Sequence, residues 1–162
     1  MCDIINRFSI NCHSSIRCDN GNMVLRFDPF RVEDTPHDAG LVFITHDHYD
    51  HFSPEDIRRV LSPGGAFVYV VPSEKHLWEL KQVLYDRPYP NQVKQTPYPG
   101  FSYREIRHVE SVIHLPCQED IHALFQMTPY FWKTPKAGTE RLAALTALDV
   151  TISFDIHVFC RD

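Results

Sequence analysis

Apolar runs predict three strands in the first half of the chain. Leu41–Thr45 and Ala66–Val71 are almost continuously apolar, which is typical of parallel strands covered on both faces. Met23–Phe27 predicts a further strand. Between the two apolar runs, Ser53 and Pro54 suit the cap and the first position of a helix. Strand, loop, helix and strand therefore follow one another in the order of a right-handed parallel crossover.

The pattern beyond this crossover predicts further helices. Gly64-Gly65 is expected to end the first helix, and Leu77, Leu80 and Leu84 form one apolar stripe on the second. The predicted helices are Ser53–Leu61, Ser73–Leu84, Gln118–Gln126 and Lys136–Leu148, and Tyr103–Leu115 is expected to be extended.

Strict alternation marks the last predicted strand, Val150–Phe159. Its apolar positions are Val150, Ile152, Phe154, Ile156 and Val158, and its polar positions are Thr151, Ser153, Asp155 and His157. This pattern predicts one buried and one wetter face. His157 is accordingly expected to face solvent rather than to bind a ligand.

Together the elements predict an α/β fold, a three-layer sandwich on a mixed, largely parallel sheet with a final antiparallel strand. A chain of 162 residues is expected to be a single domain, 1–162. Residues 1–60 contain six Arg, ten acidic residues and no Lys, while all five Lys follow. This change in composition divides the predicted domain into portions 1–60 and 61–162.

Composition limits the classes of function. The net charge of −5 gives no overall attraction to RNA. Five cysteines, odd in number and without a CxxC pair, indicate reduced thiols. No apolar run is long enough to span a bilayer and no secretory signal is evident, so we expect a cytoplasmic protein without membrane contact. The oligomeric state is not indicated.

Four side chains that can bind metal follow the strand Leu41–Thr45 within six positions: His46, His48, Asp50 and His51. Beyond a strand end, side chains two positions apart can face one ion, whereas adjacent side chains need an irregular loop to face a second. Imidazole with carboxylate suits zinc, and also iron or manganese. The alternative is a polar loop whose histidines only form hydrogen bonds.

The segment Thr45–His51 resembles the HxHxDH signature of the metallo-β-lactamase superfamily. Asn11–Ile16 is similar to that superfamily's early GHSS turn, with Cys12 in place of Gly, and Phe27–Phe30 is similar to its DPF strand end. The similarity continues through Phe52–Ile57 and covers about residues 8–60.

This resemblance implies a metal-dependent hydrolase. His46 and His48 would hold a first ion, and Asp50 and His51 a second, with Asp50 also orienting the metal-bound hydroxide. The hydroxide would attack an ester, lactone or phosphodiester of a small-molecule substrate. The later part of the superfamily's site has no counterpart, since none of the six glycines precedes Asp or His.

Residues 58–162 resemble another family. Arg59–Gly65 is similar to the RVLKPGG turn of class I methyltransferases. His76–Lys81, Leu84–Tyr89 and Leu124–Lys133 are similar to the C-terminal half of the bacterial large-subunit ribosomal RNA guanine methyltransferases. That family's cysteine zinc ribbon and glycine-rich cofactor loop are missing. The resemblance implies that the last strand inserts between the two before it, beside Ala66–Val71.

Three interpretations follow. The preferred one is a metal-binding hydrolase with an incomplete site, holding about one zinc, iron or manganese ion. The alternatives are a truncated S-adenosylmethionine-dependent rRNA guanine methyltransferase and a non-catalytic fusion. Because no glycine-rich loop is present, S-adenosylmethionine is not expected as a cofactor, and rRNA is a partner only under the methyltransferase interpretation. Near the substrate base of such an enzyme would lie Met127–Trp132, whose residue types favour packing over cofactor contact.

Overall fold

The computed structural model describes residues 4–46, 48–93 and 95–162. Its Cα positions form two compact units. Unit 1 comprises Met1–Val71, Gln95–Arg107 and Asp155–Asp162, and unit 2 comprises Pro72–Lys94 and His108–Phe154. In the described residues, no helix is long and apolar enough to cross a membrane.

One mixed sheet contains seven strands. They are β1 Phe8–Ile10, β2 Ile16–Asp19, β3 Val24–Phe27, β4 Ala39–Ile44, β5 Leu61–Pro72, β6 Phe101–Leu115 and β7 Leu148–Arg161. Their order in the sheet is β1-β2-β3-β4-β5-β7-β6. The helices are α1 Pro54–Val60, α2 Trp78–Leu84, α3 Gln118–Gln126 and α4 Lys136–Ala143. This arrangement confirms the predicted α/β fold, and the last strand lies between β5 and β6 as the methyltransferase resemblance implied.

Parallel pairing is concentrated in the middle of unit 1. Strands β1 to β3 form an antiparallel meander, whereas β3, β4 and β5 run parallel. Helix α1 connects β4 with β5, and the Oγ of Ser53 accepts the amide N–H of Asp56 at 3.2 Å to cap its first turn. The predicted order of two parallel strands joined by a helix is therefore confirmed.

The core of unit 1 joins α1 to the sheet. Val42, Ile57 and Phe67 are buried in it, together with Phe159 from the last strand. The Phe67 and Phe159 rings stack with centroids 4.4 Å apart, and the Arg161 guanidinium donates to the carbonyl of Leu61. These two contacts show that β7 runs antiparallel to β5.

Unit 2 has its own core. Helices α2, α3 and α4 contribute Leu80, Leu84, Ile121, Phe125 and Leu142, which are buried with Val150 of β7. Helix α4 approaches the end of α2 at Gly138. A Cβ added to Gly138 would lie 2.1 Å from the carbonyl oxygen of Leu84, so only glycine allows this contact.

Two helix ends differ from the prediction. Helix α1 ends at Val60, because the next residues join β5 and the Ser62 hydroxyl donates to the Ala39 carbonyl at 2.9 Å. Gly65 lies within that strand, where an added Cβ would be 3.0 Å from the same carbonyl. Helix α4 ends at Ala143, since β7 already begins at Leu148.

Helix α2 begins later than predicted because the segment before it is bonded to β7. The amide groups of Ser73 and Leu77 donate to the carbonyls of Ser153 and Thr151, at 3.0 and 2.8 Å. Leu77 then adopts a left-handed conformation, with φ of 57°, before α2 starts at Trp78. The strands β1 and β2 were not predicted at all.

The prediction for His157 is wrong. Its side chain is buried, with 2% of the residue exposed, and neighbouring Ser153 and Phe159 are buried with it. The Tyr103 hydroxyl lies 3.2 Å from Nδ1 of His157. The alternation of apolar and polar residues separates the two faces of a strand, but it does not identify the face that is more deeply buried.

His76 gives unit 2 a pH-dependent contact. Its Nδ1 accepts the amide N–H of Ser153 at 3.2 Å, which requires an unprotonated nitrogen at that position. Burial lowers the pKa of His76 below its ordinary value of 6.5. Since the folded chain favours neutral His76, this contribution to stability is present above pH 6.5 and is lost as the pH falls below it.

We therefore expect the free energy of unfolding to fall as the pH drops below 6.5 in the unchanged chain. In His76→Gln, which keeps an acceptor but does not titrate, the fall should be smaller. Urea unfolding at several pH values measures the difference. Equal pH profiles for the two proteins would contradict this role of His76.

Gly138→Ala should destabilise the chain by about 1–3 kcal/mol, because the new methyl group overlaps the Leu84 carbonyl. Glu140→Ala, at an exposed position of the same helix, should change stability by less than about 0.5 kcal/mol. Thermal and urea unfolding of both variants checks this. An unaffected Gly138→Ala protein would show that the two helices can separate without cost.

Candidate functional site

Asp28 organises the carboxyl edge of β3 and β4. It follows β3 directly, has a φ of 45°, and is 2% exposed. Its Oδ1 accepts the amide N–H of Thr45 at 2.8 Å, and its Oδ2 accepts the Thr45 hydroxyl at 2.6 Å. The carboxylate therefore joins the ends of two parallel strands, at the edge where α/β sheets place their functional sites.

The same carboxylate orients a histidine of the following loop. Nδ1 of His51 lies 2.8 Å from Oδ2 of Asp28, and Nε2 of His51 lies 3.8 Å from Oδ2 of Asp50. The loop turns here because the amide groups of His51 and Phe52 both donate to the carbonyl of His48. Asp28 was not predicted as a site residue, although it is the most deeply buried member of the cluster.

Three imidazoles meet in this loop. Nε2 of His46 lies 3.0 Å from Nδ1 of His48, and the His46 and His51 rings have centroids 3.9 Å apart. The structure thus brings together His46, His48 and His51, with Asp50 at the rim. Asp47 lies outside the described residues.

The cluster does not have the arrangement of a metal site. Among the described residues, no group of three or more His, Cys, Asp and Glu side chains could hold an ion. The imidazole nitrogens are instead directed at one another and at Asp28, which matches the alternative of a hydrogen-bonded polar loop. The predicted zinc, iron or manganese cofactor is therefore wrong. That His46, His48, Asp50 and His51 are functional residues stays a prediction.

Unit 2 contains a second cluster, built around a buried amine. Lys81 is 2% exposed, and its Nζ donates to Oδ1 of Asn91 at 2.6 Å and to the Tyr89 carbonyl at 3.2 Å. The ammonium also lies 5.2 Å from the ring centroid of Tyr89 and 5.6 Å from that of Tyr130. Burial lowers the pKa of Lys81. Asn91 in turn donates to the Ser73 carbonyl, so this network holds the segment after α2.

Tyr130 stays neutral over a wide pH range. Burial, with a smaller effect of Tyr85 and Tyr89, raises the pKa of Tyr130 to about 12. It belongs to a 3-10 turn, Pro129–Trp132, and the Thr128 hydroxyl donates to the Phe125 carbonyl just before that turn.

In the segment Met127–Trp132, which contains this turn, some side chains are packed and others are exposed. Phe131 packs against Phe125 with ring centroids 5.3 Å apart, whereas Met127 and Trp132 are each 83% exposed. Two exposed lysines follow, Lys133 and Lys136. We call Met127, Trp132, Lys133 and Lys136 the Trp132 surface. Exposed aromatic and sulfur-containing side chains beside lysines are suited to stacking a base near a phosphate.

Comparison with known proteins finds a similarity to a methyltransferase. No family model matches the chain. The chain is 30% identical over 118 residues to "Putative 23S rRNA (guanine-N(1)-)-methyltransferase YxjB" of Bacillus subtilis (strain 168). This match covers 66% of the chain but only 40% of that protein's length.

A methyltransferase of solved structure is also similar, "putative methyltransferase (BH2331)" from Bacillus halodurans C-125. It is 14% identical, with a TM-score of 0.42, over 80% of this chain and 67% of that one.

The similarity in sequence to the Bacillus subtilis protein corrects the preferred interpretation of the sequence. The relative found by sequence carries the name of a methyltransferase and not that of a metallo-β-lactamase. The prediction of a metal-dependent hydrolase acting on a small molecule is therefore wrong, and the methyltransferase alternative is the better supported one. The prediction against S-adenosylmethionine is contradicted with it, since a methyltransferase needs a methyl donor.

Asp28→Ala should destabilise the chain by about 1–3 kcal/mol, because the Thr45 amide loses its buried acceptor. Asp50→Ala is the matched control, since its carboxylate is partly exposed and comes no closer than 3.8 Å to His51. It should change stability by less than about 0.5 kcal/mol. Chemical unfolding of both variants is the measurement, and equal losses would show that Asp28 does not hold this edge of the sheet.

Proposed function

We propose that this chain acts as an S-adenosylmethionine-dependent methyltransferase on guanine of large-subunit ribosomal RNA, and that unit 2 contacts the RNA. The observation that carries the proposal is the 30% identity over 118 residues to a 23S rRNA guanine methyltransferase. The match covers 66% of the chain.

The strand order supports the same family. In the described sheet, β7 follows β6 in sequence but lies between β5 and β6. The resemblance of residues 58–162 to methyltransferases predicts this insertion. The motif Leu124–Lys133 ends α3 and forms the exposed turn of the Trp132 surface.

S-adenosylmethionine would supply the methyl group. The turn after β3 does not offer a glycine cradle for it: Asp28 lies there, and its oxygens are already engaged by Thr45 and His51. None of the six glycines lies in a GxGxG turn. The assignment of S-adenosylmethionine as the methyl donor therefore rests on the similarity to the methyltransferase. We derive no step of the reaction from a bound cofactor.

The Trp132 surface provides the contact with RNA in this proposal. Trp132 offers an uncovered ring on which a base can stack, worth about 1–3 kcal/mol. Lys133 and Lys136 lie next to it in the chain and can approach phosphates. Because the chain carries a net charge of −5, such binding must depend on a local surface rather than on overall attraction.

Methyl transfer is the direct test. The chain is incubated with S-adenosylmethionine labelled in its methyl group and with unmodified 23S rRNA, and the nucleosides are separated after digestion. We expect label on guanine. In Trp132→Ala, the apparent affinity for the RNA should fall about tenfold, as expected for the loss of one stacked base.

Phe8→Ala removes an exposed aromatic ring from unit 1 and serves as the control, with unchanged transfer expected. Absence of label on the RNA at saturating donor would contradict the proposed function. Label that is equally strong in Trp132→Ala would instead show that the RNA lies against another part of the chain.

A further inference from the structure

Strand β6 forms one edge of the sheet, and the proposed function does not involve this edge. It is last in the strand order, and every residue between Phe101 and Leu115 is exposed. An edge strand presents unpaired N–H and C=O groups, with which another strand can pair. A 15-residue edge that is exposed along its length is therefore a potential pairing surface.

The unit 2 part of this edge, residues 108–115, has little protection against pairing. Natural edge strands are usually kept apart by charged side chains or proline. The unit 1 part of β6 carries Arg104, Glu105 and Arg107, whereas residues 108–115 contain one carboxylate and no Lys, Arg or Pro. Val112 is 63% exposed, and Val109 and Ile113 are also exposed apolar side chains.

Residues 108–115 are complementary to a second copy of themselves. In a two-fold antiparallel pair, residues that face each other point to the same side of the sheet, so they differ by an even number of positions. Centring the axis on Val112 places Glu110 opposite His114, and Val109 opposite Leu115. Each pair occurs twice, and a carboxylate facing an imidazole or apolar groups facing each other favour pairing.

A shift of the axis to Glu110 would place two carboxylates opposite each other, which is unfavourable. The register centred on Val112 is also compatible with the contacts on the other side of β6. There, Oε2 of Glu110 accepts the Ser153 hydroxyl at 3.0 Å, and Nδ1 of His114 lies 2.6 Å from Oδ1 of Asp149.

We propose that residues 108–115 of β6 pair antiparallel with the same residues of a second copy of this chain, with the two-fold axis at Val112. The sheet then continues from one copy into the other. The self-complementary order of charged and apolar residues distinguishes a second copy from an unrelated partner.

Sedimentation velocity of the full chain over a range of concentrations tests the pairing. The unchanged chain should show a concentration-dependent dimer. In Val112→Lys, two ammonium groups face each other on the axis, and the dimer dissociation constant should rise at least about tenfold. Val93→Lys makes the same change at an exposed valine outside β6 and should leave the dimer intact.

Cysteine cross-linking tests the register. Val112→Cys places two sulfur atoms on the axis, within reach of a disulfide between copies, whereas in Glu110→Cys the two positions are four residues apart along the strand and out of reach. Mild oxidation should join two copies of Val112→Cys by a disulfide between their introduced cysteines, and mass spectrometry of the linked peptides identifies that bond. It should not join two copies of Glu110→Cys through the cysteine introduced there.

A chain that is monomeric at every concentration would overturn the proposal, and so would a dimer that persists unchanged in Val112→Lys. Circular dichroism shows that each variant is folded, so loss of the dimer is not mistaken for unfolding. These outcomes are separate from the methyl-transfer assay, since neither requires RNA or a methyl donor.

Discussion

Both units of this chain depend on the insertion of β7 into the sheet. The strand contributes Phe159 to the core of unit 1 and Val150 to the core of unit 2. In unit 1, the stacked rings of Phe67 and Phe159 hold it beside β5. In unit 2, the carbonyl of Ser153 accepts a hydrogen bond from the amide of Ser73, in the segment that leads into α2. Because a buried aromatic ring and buried backbone hydrogen bonds each cost free energy when lost, neither core is complete without this strand.

Local signals in the sequence predicted many of the elements. The bounds of α3 agree with the prediction, and the Ser53 cap and Pro54 correctly marked the start of α1. Such features depend on neighbours within one or two helical turns. The glycine pair misled the prediction, because Gly65 allows β5 to approach the Ala39 carbonyl rather than ending a helix. The strands β1 and β2 have only three and four residues, so periodicity does not show them and their pairing depends on neighbouring strands.

The two clusters show how far the chemistry of a site follows from sequence. His46, His48 and His51 lie together in the structure, but their spacing in the sequence does not indicate what they bind. Asp28 lies 17 positions before Thr45 and 23 before His51, and only the fold makes the contacts between them evident. Likewise, the residue types around Trp132 favoured packing, whereas the 3-10 turn buries Phe131 partly and leaves Trp132 uncovered. Motif similarity to the methyltransferases was the better indication of function.

The burial of Lys81 has a consequence for the chemical reactivity of unit 2. Lys75, Lys133 and Lys136 are exposed and are open to acylating reagents, whereas Lys81 is enclosed by Tyr89, Tyr130 and Asn91. Acylation of Lys81 therefore requires a local opening of unit 2. Its rate relative to that of the exposed lysines measures how often the segment after α2 leaves the helix, without any probe being introduced into the chain.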